Sequence, residues 1–270
     1  IELGINHFDT ADVYGGGGRS EELIGELLGS RRKKIVLATK FGKLGEAAPG
    51  VRGTAAYIRR AADASLKRLR TDWIDLYYMH EPDPQTPIEE TLTALDELIR
   101  AGKIRYSATS NFKAGQVTEA VAAAKRLGVR GFIASQDEYS LLARDIEREL
   151  HPTLDANGLD LVPYFPLAAG ALTGKYKRGQ PMPEGARITK GGYTHYLAPH
   201  NVDKIENLRV FVEKRGRTML ELAFSWLARR PRVVSIIAGA TRPDQVEANV
   251  RATGWNLTPA EMAEIDRITA

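Results

Sequence analysis

The chain has 270 residues, 43% of them hydrophobic, which is enough to bury a large core in one α/β barrel or in two average domains. It has no cysteine, which excludes disulfides and thiolate metal sites and predicts a cytoplasmic protein, and it has neither a signal-peptide pattern nor an apolar run near the about 18 residues of a membrane span. The net charge is +4, but 38 Lys and Arg residues are mixed with 34 Asp and Glu residues, which indicates a solvated surface and excludes a nucleic-acid partner.

Short β-rich runs alternate with longer segments of helical periodicity along the chain. Strands that alternate with helices in this way indicate parallel βαβ units. No linker or break in composition divides the sequence, so we predict a single domain over residues 1–270. The predicted strands are His7–Asp9, Ile35–Ala38, Ile74–Tyr78, Ile104–Ser107, Phe132–Ala134, Leu161–Tyr164 and Val233–Ile237. Apolar stripes at steps of three and four mark helices at Ile58, Ala62, Leu66 and Leu69, at Ile88, Leu92, Leu95 and Ile99, and at Met219, Leu222, Ala223 and Trp226.

The seven predicted strands are one fewer than a closed (β/α)8 barrel requires. The chain opens with Ile1-Glu2-Leu3-Gly4, which is typical of the last turn of a helix and its C-terminal glycine. We therefore predict an α/β fold of the (β/α)8 (TIM) barrel type whose first strand and most of whose first helix are missing from the chain. An open, doubly wound parallel sheet is the alternative. Two long connections, Gly42–Gly53 and Gly174 to about Asn201, are predicted to be functional or disordered loops.

Every predicted strand is followed by a polar residue or a glycine. Parallel barrels place their chemistry at the C-terminal ends of the strands. Each residue has an ordinary structural explanation, such as a helix cap or a buried hydrogen bond. The repetition at all seven ends nevertheless favours a ligand site. These residues are Asp9, Lys40, His80, Ser110, Asn111, Gln136, Tyr164 and Gly239.

The segment from Phe8 to Gly15 is the most informative part of the sequence. Asp9 ends a strand, and Tyr14 follows five residues later, close enough to return over the mouth of a barrel. A tyrosine is a weak acid near neutrality, and a neighbouring ammonium such as that of Lys40 favours its phenolate while a carboxylate holds the ammonium in place. Protonation of a nascent alkoxide requires an acid such as Tyr14, a cation such as Lys40 that favours its phenolate, and a carboxylate such as Asp9 that holds the cation in place. His80, as a neutral imidazole, would donate a hydrogen bond to the carbonyl oxygen.

These segments resemble the aldo-keto reductase family. The resemblance covers essentially the whole chain, because the motifs follow one another in order on successive predicted strands. They are Gly4–Ala11 with Tyr14, Ala-Thr-Lys-Phe-Gly around Lys40, Tyr-Tyr-Met-His ending at His80, Ser110-Asn111-Phe112, Gln136, Tyr164–Leu167 and Gly239–Arg242.

The resemblance implies an NAD(P)H-dependent oxidoreductase that reduces the carbonyl of a small aldehyde or ketone to an alcohol. Tyr14 would be the general acid, Lys40 and Asp9 would tune it, and His80 would help to bind substrate. Ser110, Asn111 and Gln136 would hold the carboxamide of the nicotinamide, and Tyr164 would stack on its ring. NADPH is the expected cofactor, and NADH is the other candidate.

The segment Gly239–Asn249 resembles the family's site for the adenosine phosphate. A strand that ends in Gly239 and continues through Thr241 and Arg242 into a helix suits a phosphate. Gln245 and Asn249 share a helix face that would meet the adenine. A capped surface helix is the alternative. Many members carry a Lys-Ser motif at the phosphate, whereas this chain has Ala238-Gly239-Ala240-Thr241, which leaves the preference between NADPH and NADH open.

Three other interpretations follow from the same residues. A Schiff-base aldolase would use Lys40 as its nucleophile, but an adjacent Asp9 favours the charged ammonium and opposes that chemistry. A non-catalytic cofactor-binding auxiliary subunit, resembling potassium-channel beta subunits, is the alternative outside enzymes. No metal site is predicted, because only His195 and His200 have ligand-like spacing and no carboxylate accompanies them. The sequence leaves the physiological substrate and the oligomeric state open.

Overall fold

A computed structural model describes residues 1–43 and 52–270 of the chain. The chain divides into two compact units. Unit 1 comprises residues 1–136 and 149–161, and unit 2 comprises residues 137–148 and 162–270. The single domain over residues 1–270 stays a prediction. Most of the loop predicted at Gly42–Gly53 lies outside the described residues.

Unit 1 is built on a parallel sheet of six strands whose order along the sheet follows their order in the chain. The first six predicted strands are all present, which confirms the α/β class. The ladder of the sixth strand stops at Leu161, two residues before Pro163, whose nitrogen carries no hydrogen to donate. The strands are β1 (His7–Asp9), β2 (Val36–Phe41), β3 (Ile74–Met79), β4 (Ile104–Ser110), β5 (Ala134–Gln136) and β6 (Asp160–Leu161).

Helices connect these strands, and their apolar stripes face the sheet. Ile58, Ala62 and Leu69 are buried on one helix, as their spacing predicts, whereas Leu66 is half-buried. Gly25 lets two helices approach closely, because a Cβ there would lie 2.7 Å from the carbonyl carbon of Leu69. The helices of unit 1 are α1 (Arg19–Leu28), α2 (Ala55–Leu69), α3 (Ile88–Arg100), α4 (Ala114–Leu127) and α5 (Leu150–Ala156), with a 3-10 turn at Gly29–Lys34.

The sheet of unit 1 is strongly curved. Gln136 on β5 donates its side-chain amide to Asp9 on β1 at 2.9 Å. Four strand-to-strand steps separate β1 from β5, and at about 4.8 Å each a flat sheet would hold the two residues roughly 19 Å apart. Such curvature is characteristic of a parallel barrel. The sequential strand order also argues against the doubly wound alternative, whose order reverses at a switch point.

Unit 2 packs helices around a buried tryptophan. Trp226 is fully buried, and the guanidinium carbons of Arg144 and Arg230 lie 5.3 and 4.2 Å from its ring centroid. Both arginines also bind Asp266, at 3.0 and 2.5 Å. The helices are α6 (Arg187–Lys190), α7 (Pro199–Glu213), α8 (Met219–Ala228), α9 (Pro243–Arg251) and α10 (Pro259–Thr269), with 3-10 turns at Asp145–Glu147, Ala168–Thr173, Thr194–Leu197 and Ala252–Gly254.

Two sequence predictions in unit 2 require correction. The predicted strand Val233–Ile237 is not a strand in the structure. Ile237 donates to the carbonyl of Pro163 at 3.0 Å, but a proline has no N–H with which to return a ladder bond. The predicted loop from Gly174 to about Asn201 contains α6 and a 3-10 turn, and α7 already begins at Pro199, because proline is favoured in the first turn of a helix.

Within the described ranges, none of the helices combines the length and the apolar content that crossing a membrane requires.

Candidate active site

A buried ion pair lies at the C-terminal edge of the sheet in unit 1. The Lys40 side chain is completely buried, and its Nζ binds a carboxylate oxygen of Asp9 and the carbonyl oxygen of Thr10, the latter at 2.8 Å. The second carboxylate oxygen of Asp9 accepts the amide of Gln136. An ammonium has three donors, so two of those of Lys40 are accounted for by these contacts.

Tyr14 lies directly beside this ion pair. The connection after β1 returns over the strand ends, because Thr10 and Asp12 donate their N–H groups to the carbonyls of Ala38 and Lys40 at 3.0 and 3.1 Å. The Nζ of Lys40 lies 4.9 Å from the centroid of the Tyr14 ring. The tyrosine itself is 40% exposed, so its face is open to a ligand. The structure therefore brings acid candidate, cation and carboxylate together.

His80 completes the cluster from the end of β3. Its ring centroid is 5.9 Å from that of Tyr14, with the planes at 81°. Burial, and then the charges of Lys40 and Lys43, lower the pKa of His80 from 6.5 to about 3. The imidazole is consequently neutral at physiological pH and can donate one N–H without carrying a charge.

The low pKa of His80 predicts how stability depends on pH. Between pH 3 and 6.5 the unfolded chain binds a proton that the folded histidine does not, because its pKa is lowered to about 3. The contribution of the neutral imidazole to the free energy of unfolding is complete above pH 6.5. It is lost as the pH falls towards 3, at up to about 1.4 kcal/mol per pH unit. Between pH 6.5 and 4.5, we expect the melting temperature of His80→Gln to fall by less than that of the wild type, as measured by calorimetry. The exposed His200→Gln is the matched control, and equal acid sensitivity of all three proteins would contradict the prediction.

Three predicted cofactor residues form a hydrogen-bonded row beside the cluster. Ser110 donates its hydroxyl to the carbonyl of Gln136 at 2.8 Å. Asn111 adopts a left-handed conformation at φ 61° and donates its side-chain amide to the carbonyl of His80 at 2.9 Å. These bonds fix amide and hydroxyl groups at the ends of β4 and β5, next to Asp9. The structure thus places Ser110, Asn111 and Gln136 together with the catalytic candidates, all within unit 1.

Tyr164 belongs to unit 2. Its backbone lies parallel to residue Glu138 in an isolated bridge, and its N–H donates to the carbonyl of Asp137 at 2.9 Å. Its half-buried ring meets the ring of Phe165 edge-on, with centroids 5.3 Å apart. Phe165 itself has a left-handed backbone at φ 54°. The Tyr164 ring is thereby held against a neighbouring aromatic ring.

The predicted phosphate segment also lies in unit 2, at the start of α9. The Gln245 side chain accepts the N–H of Thr241 at 2.8 Å, so its oxygen closes the turn before the helix. Arg242 is exposed and makes a two-point ion pair with Asp244, at 2.9 and 3.0 Å. Asn249 is half-buried one turn after Gln245.

Arg187 is a cation at this segment that the sequence prediction missed. Its guanidinium carbon lies 5.2 Å from the ring centroid of Phe165 and 5.8 Å from that of Tyr193. A Cβ on Gly239 would lie 3.7 Å from its Nη1, an ordinary contact distance, so the glycine backbone lies close to the guanidinium. Arg187 lies in a short helix with no amphipathic pattern, and only its position in space connects it with Gly239.

The described residues contain no group of three or more His, Cys, Asp and Glu side chains arranged as metal ligands. The ring of His195 instead packs on that of Tyr196, with centroids 4.2 Å apart.

Comparison with known proteins connects this geometry to a family. The sequence matches the model of the Aldo/keto reductase family over residues 1–270. A probable voltage-gated potassium channel subunit beta of Arabidopsis thaliana is 39% identical over 276 residues, which cover 98% of this chain and 83% of that protein. L-glyceraldehyde 3-phosphate reductase of Escherichia coli (strain K12) is 34% identical over 281 residues, which cover 99% of this chain and 80% of that protein. A putative voltage-gated potassium channel subunit beta of Schizosaccharomyces pombe is 34% identical over 281 residues, which cover 99% of this chain and 81% of that protein. The chain belongs to the aldo/keto reductase family.

Proposed function

We propose that this protein is an NAD(P)H-dependent reductase that converts an aldehyde or ketone carbonyl to an alcohol, with Tyr14 as the general acid. The observation that carries the proposal is the buried Lys40–Asp9 ion pair directly beside the exposed ring of Tyr14. A lysine is almost never fully buried unless it is paired, and burial strengthens its field at a neighbouring hydroxyl. A structural role alone would not require Tyr14 to be exposed at this point.

In the proposed reaction the carbonyl oxygen lies between Tyr14 and His80. The neutral His80 donates a hydrogen bond that orients the carbonyl, and it adds no charge of its own. Tyr14 then gives its proton to the oxygen as negative charge develops there. Among the described residues, the contacts with Asp9 and Thr10 leave Lys40 one donor, and that donor stabilises the phenolate that remains. The tyrosine recovers its proton from solvent, to which it is exposed.

The residues present fit a nicotinamide cofactor in each unit. In unit 1, Ser110, Asn111 and Gln136 present hydroxyl and amide groups suited to a carboxamide. In unit 2, the backbone of Gly239 lies close to the guanidinium of Arg187, which suits a phosphate. The half-buried ring of Tyr164 offers an aromatic surface beside Phe165. When bound, NAD(P)H would supply the two electrons and one hydrogen that the carbonyl carbon gains.

A complete (β/α)8 barrel is part of the same proposal. Six sequential parallel strands and the contact between β1 and β5 support it. The missing first strand, the cytoplasmic location and the small carbonyl partner remain predictions.

A direct test combines cofactor binding with turnover. NADPH and NADH are titrated in parallel by nicotinamide fluorescence, and then a panel of aldehydes and ketones is screened for cofactor oxidation. The panel includes a phosphorylated aldehyde, because one relative is named for reduction of L-glyceraldehyde 3-phosphate. Tight cofactor binding with turnover is the expected result. Absence of cofactor binding would contradict the proposal.

The second candidate function is a cofactor-binding auxiliary subunit of a potassium channel. It is favoured by the name of the Arabidopsis thaliana relative, which is 39% identical. The two candidates differ in turnover: a subunit binds NAD(P)H but oxidises it slowly or not at all with every carbonyl of the panel, whereas the enzyme turns over repeatedly. The carbonyl screen therefore decides between them.

Arg242 provides a prediction about cofactor choice. If Arg242 holds the phosphate that distinguishes NADPH from NADH, Arg242→Ala raises the Kd for NADPH by about tenfold and leaves the Kd for NADH nearly unchanged. The reason is that a charge-assisted hydrogen bond contributes roughly 1.5 kcal/mol. The carboxylate of Asp244 competes with a phosphate for the charge of Arg242, so Asp244→Asn is expected to lower the Kd for NADPH. Fluorescence titration measures both variants. Equal losses for the two cofactors in Arg242→Ala would remove this role.

A further inference from the structure

The connection that carries Tyr14 has little regular structure of its own. We call residues 10–18 the Tyr14 loop. It ends in four successive glycines, Gly15 to Gly18, with φ angles of 77°, 83°, 95° and 98°. Glycines lose more conformational freedom on folding than other residues, so such a segment holds one conformation only if its ends are anchored. Ser20, in the first turn of α1, supplies one anchor by donating its N–H to the carbonyl of Tyr14 at 3.2 Å.

Glu21 anchors the start of α1 to the sheet. Its side chain is completely buried, although it follows a glycine-rich loop. It accepts the hydroxyl of Thr39 at 2.6 Å and the Nε of Arg68 at 2.6 Å. Thr39 directly precedes Lys40 on β2, so the carboxylate connects the helix after the Tyr14 loop with the strand that positions the lysine.

Arg68 holds the end of the loop from the other side. Its side chain extends from α2 across Gly18, so closely that a Cβ at Gly18 would overlap its Nε and lie 2.6 Å from its Cδ. Gly18 is also the N-cap residue of α1. The arginine therefore contacts both the last residue of the loop and the buried carboxylate of Glu21, and it can occupy this position only because residue 18 has no side chain.

Arg68 is a cation among several ionisable groups in this cluster. Asp12, on the same loop, is a second, half-buried carboxyl whose Oδ1 is buried and has no hydrogen-bond partner within the described residues. Burial and the charge of Glu21 raise the pKa of Asp12 to about 7, while Arg68 and Lys40 oppose the shift. Burial and these carboxylates also raise the pKa of Tyr77, which faces the cluster from β3. Arg68 thus balances one buried and one half-buried carboxyl, and its loss would leave the charge of Glu21 uncompensated.

We propose that Glu21 and Arg68 are positioning residues for Tyr14, and that they act by anchoring the Tyr14 loop through Thr39 and Gly18. The inference rests on the proposed function, in which Tyr14 donates a proton. Neither residue touches substrate or cofactor in this role. Their effect is to keep the hydroxyl of Tyr14 at a constant place beside Lys40.

Two glycine substitutions separate this contact from backbone strain. Gly17→Ala and Gly18→Ala both place a side chain at positive φ, +95° and +98°, but only a Cβ at residue 18 would meet Arg68. We expect kcat in Gly18→Ala to be about tenfold lower than in Gly17→Ala, because small displacements of a reacting group cost up to roughly 10²-fold. KM is expected to be similar in the two variants, whereas the melting temperature of Gly18→Ala is expected to be lower, because its Cβ displaces Arg68 from the buried Glu21. Equal kcat values would overturn the proposal.

Arg68 offers a second route if Gly18→Ala does not fold. Arg68→Lys keeps the charge but loses the planar guanidinium, so it is expected to retain more kcat than Arg68→Ala and less than wild type. The matched control is Arg59→Ala on the same helix, which removes an exposed ion pair with Glu97 and is expected to leave kcat unchanged. Stable Arg68 variants with wild-type kcat would show a role in stability alone and would contradict the proposal.

Amide hydrogen exchange measures how often the backbone hydrogen bonds of the Tyr14 loop open, and it does not depend on turnover. Faster exchange at Asp12 and Ser20 is expected in Gly18→Ala and Arg68→Ala, and not in Gly17→Ala or Arg59→Ala. If the wild-type protein reduces no carbonyl but shows this contrast, the proposed function fails and the anchoring of the loop stands. If the wild type turns over and the contrast is absent, the positioning proposal alone fails.

Discussion

Replacement of Tyr14 by phenylalanine is expected to lower carbonyl reduction by roughly 10²- to 10⁴-fold, which is the usual contribution of a positioned general acid. The change removes only the hydroxyl. The ring remains beside Lys40, whose Nζ is 4.9 Å from its centroid in the wild type. Because no proposed cofactor contact involves this hydroxyl, the Kd for NADPH is expected to stay within about twofold of wild type.

The measurement is a steady-state assay of NADPH oxidation, combined with a fluorescence titration of cofactor binding. Tyr106→Phe is the matched control, because Tyr106 is an exposed tyrosine on β4 outside the candidate site. Near-normal turnover by Tyr14→Phe would exclude Tyr14 as the acid. A loss of cofactor binding as large as the loss of turnover would show that the hydroxyl binds the cofactor and does not donate the proton.

Replacement of Lys40 by methionine is expected to have two large effects. Turnover falls to about the level of Tyr14→Phe, because the cation that stabilises the phenolate is gone. Stability also falls, since the carboxylate of Asp9 is left buried with the amide of Gln136 but without a cation. Breaking a buried ion pair in this way costs about 3–5 kcal/mol. Urea unfolding measures the second effect, and single-turnover kinetics on the folded fraction measure the first.

A double variant separates the two effects of Lys40. Lys40→Met combined with Asp9→Asn removes both charges, so no uncompensated carboxylate remains. We expect this variant to recover most of the lost stability and none of the lost turnover. If turnover recovers together with stability, Lys40 serves the fold and not the reaction.

The order of the motifs along the chain is sufficient to predict a parallel α/β fold and the first six strands. Residues at the ends of parallel strands come together because those ends share one edge, so the order of the strands alone groups Asp9, Lys40, His80 and Gln136. Tyr14 is predictable for the same reason, since it follows Asp9 by five residues. These inferences use local periodicity and short separations, which a sequence states directly.

Other features depend on packing between distant residues. Glu21 and Arg68 are 47 positions apart, and Gly18 is close to the arginine only because α1 packs against the end of α2. Val233–Ile237 has the composition of a strand but forms no ladder, since strand formation requires a partner with free donors and acceptors. Arg187 reaches Gly239 from a segment without any periodic pattern. The sequence alone determined the parallel α/β class, the first six strands and the side chains that these strands place at one edge. Only the tertiary structure decided which buried charges meet, because those contacts arise from the close packing of helices on a curved sheet.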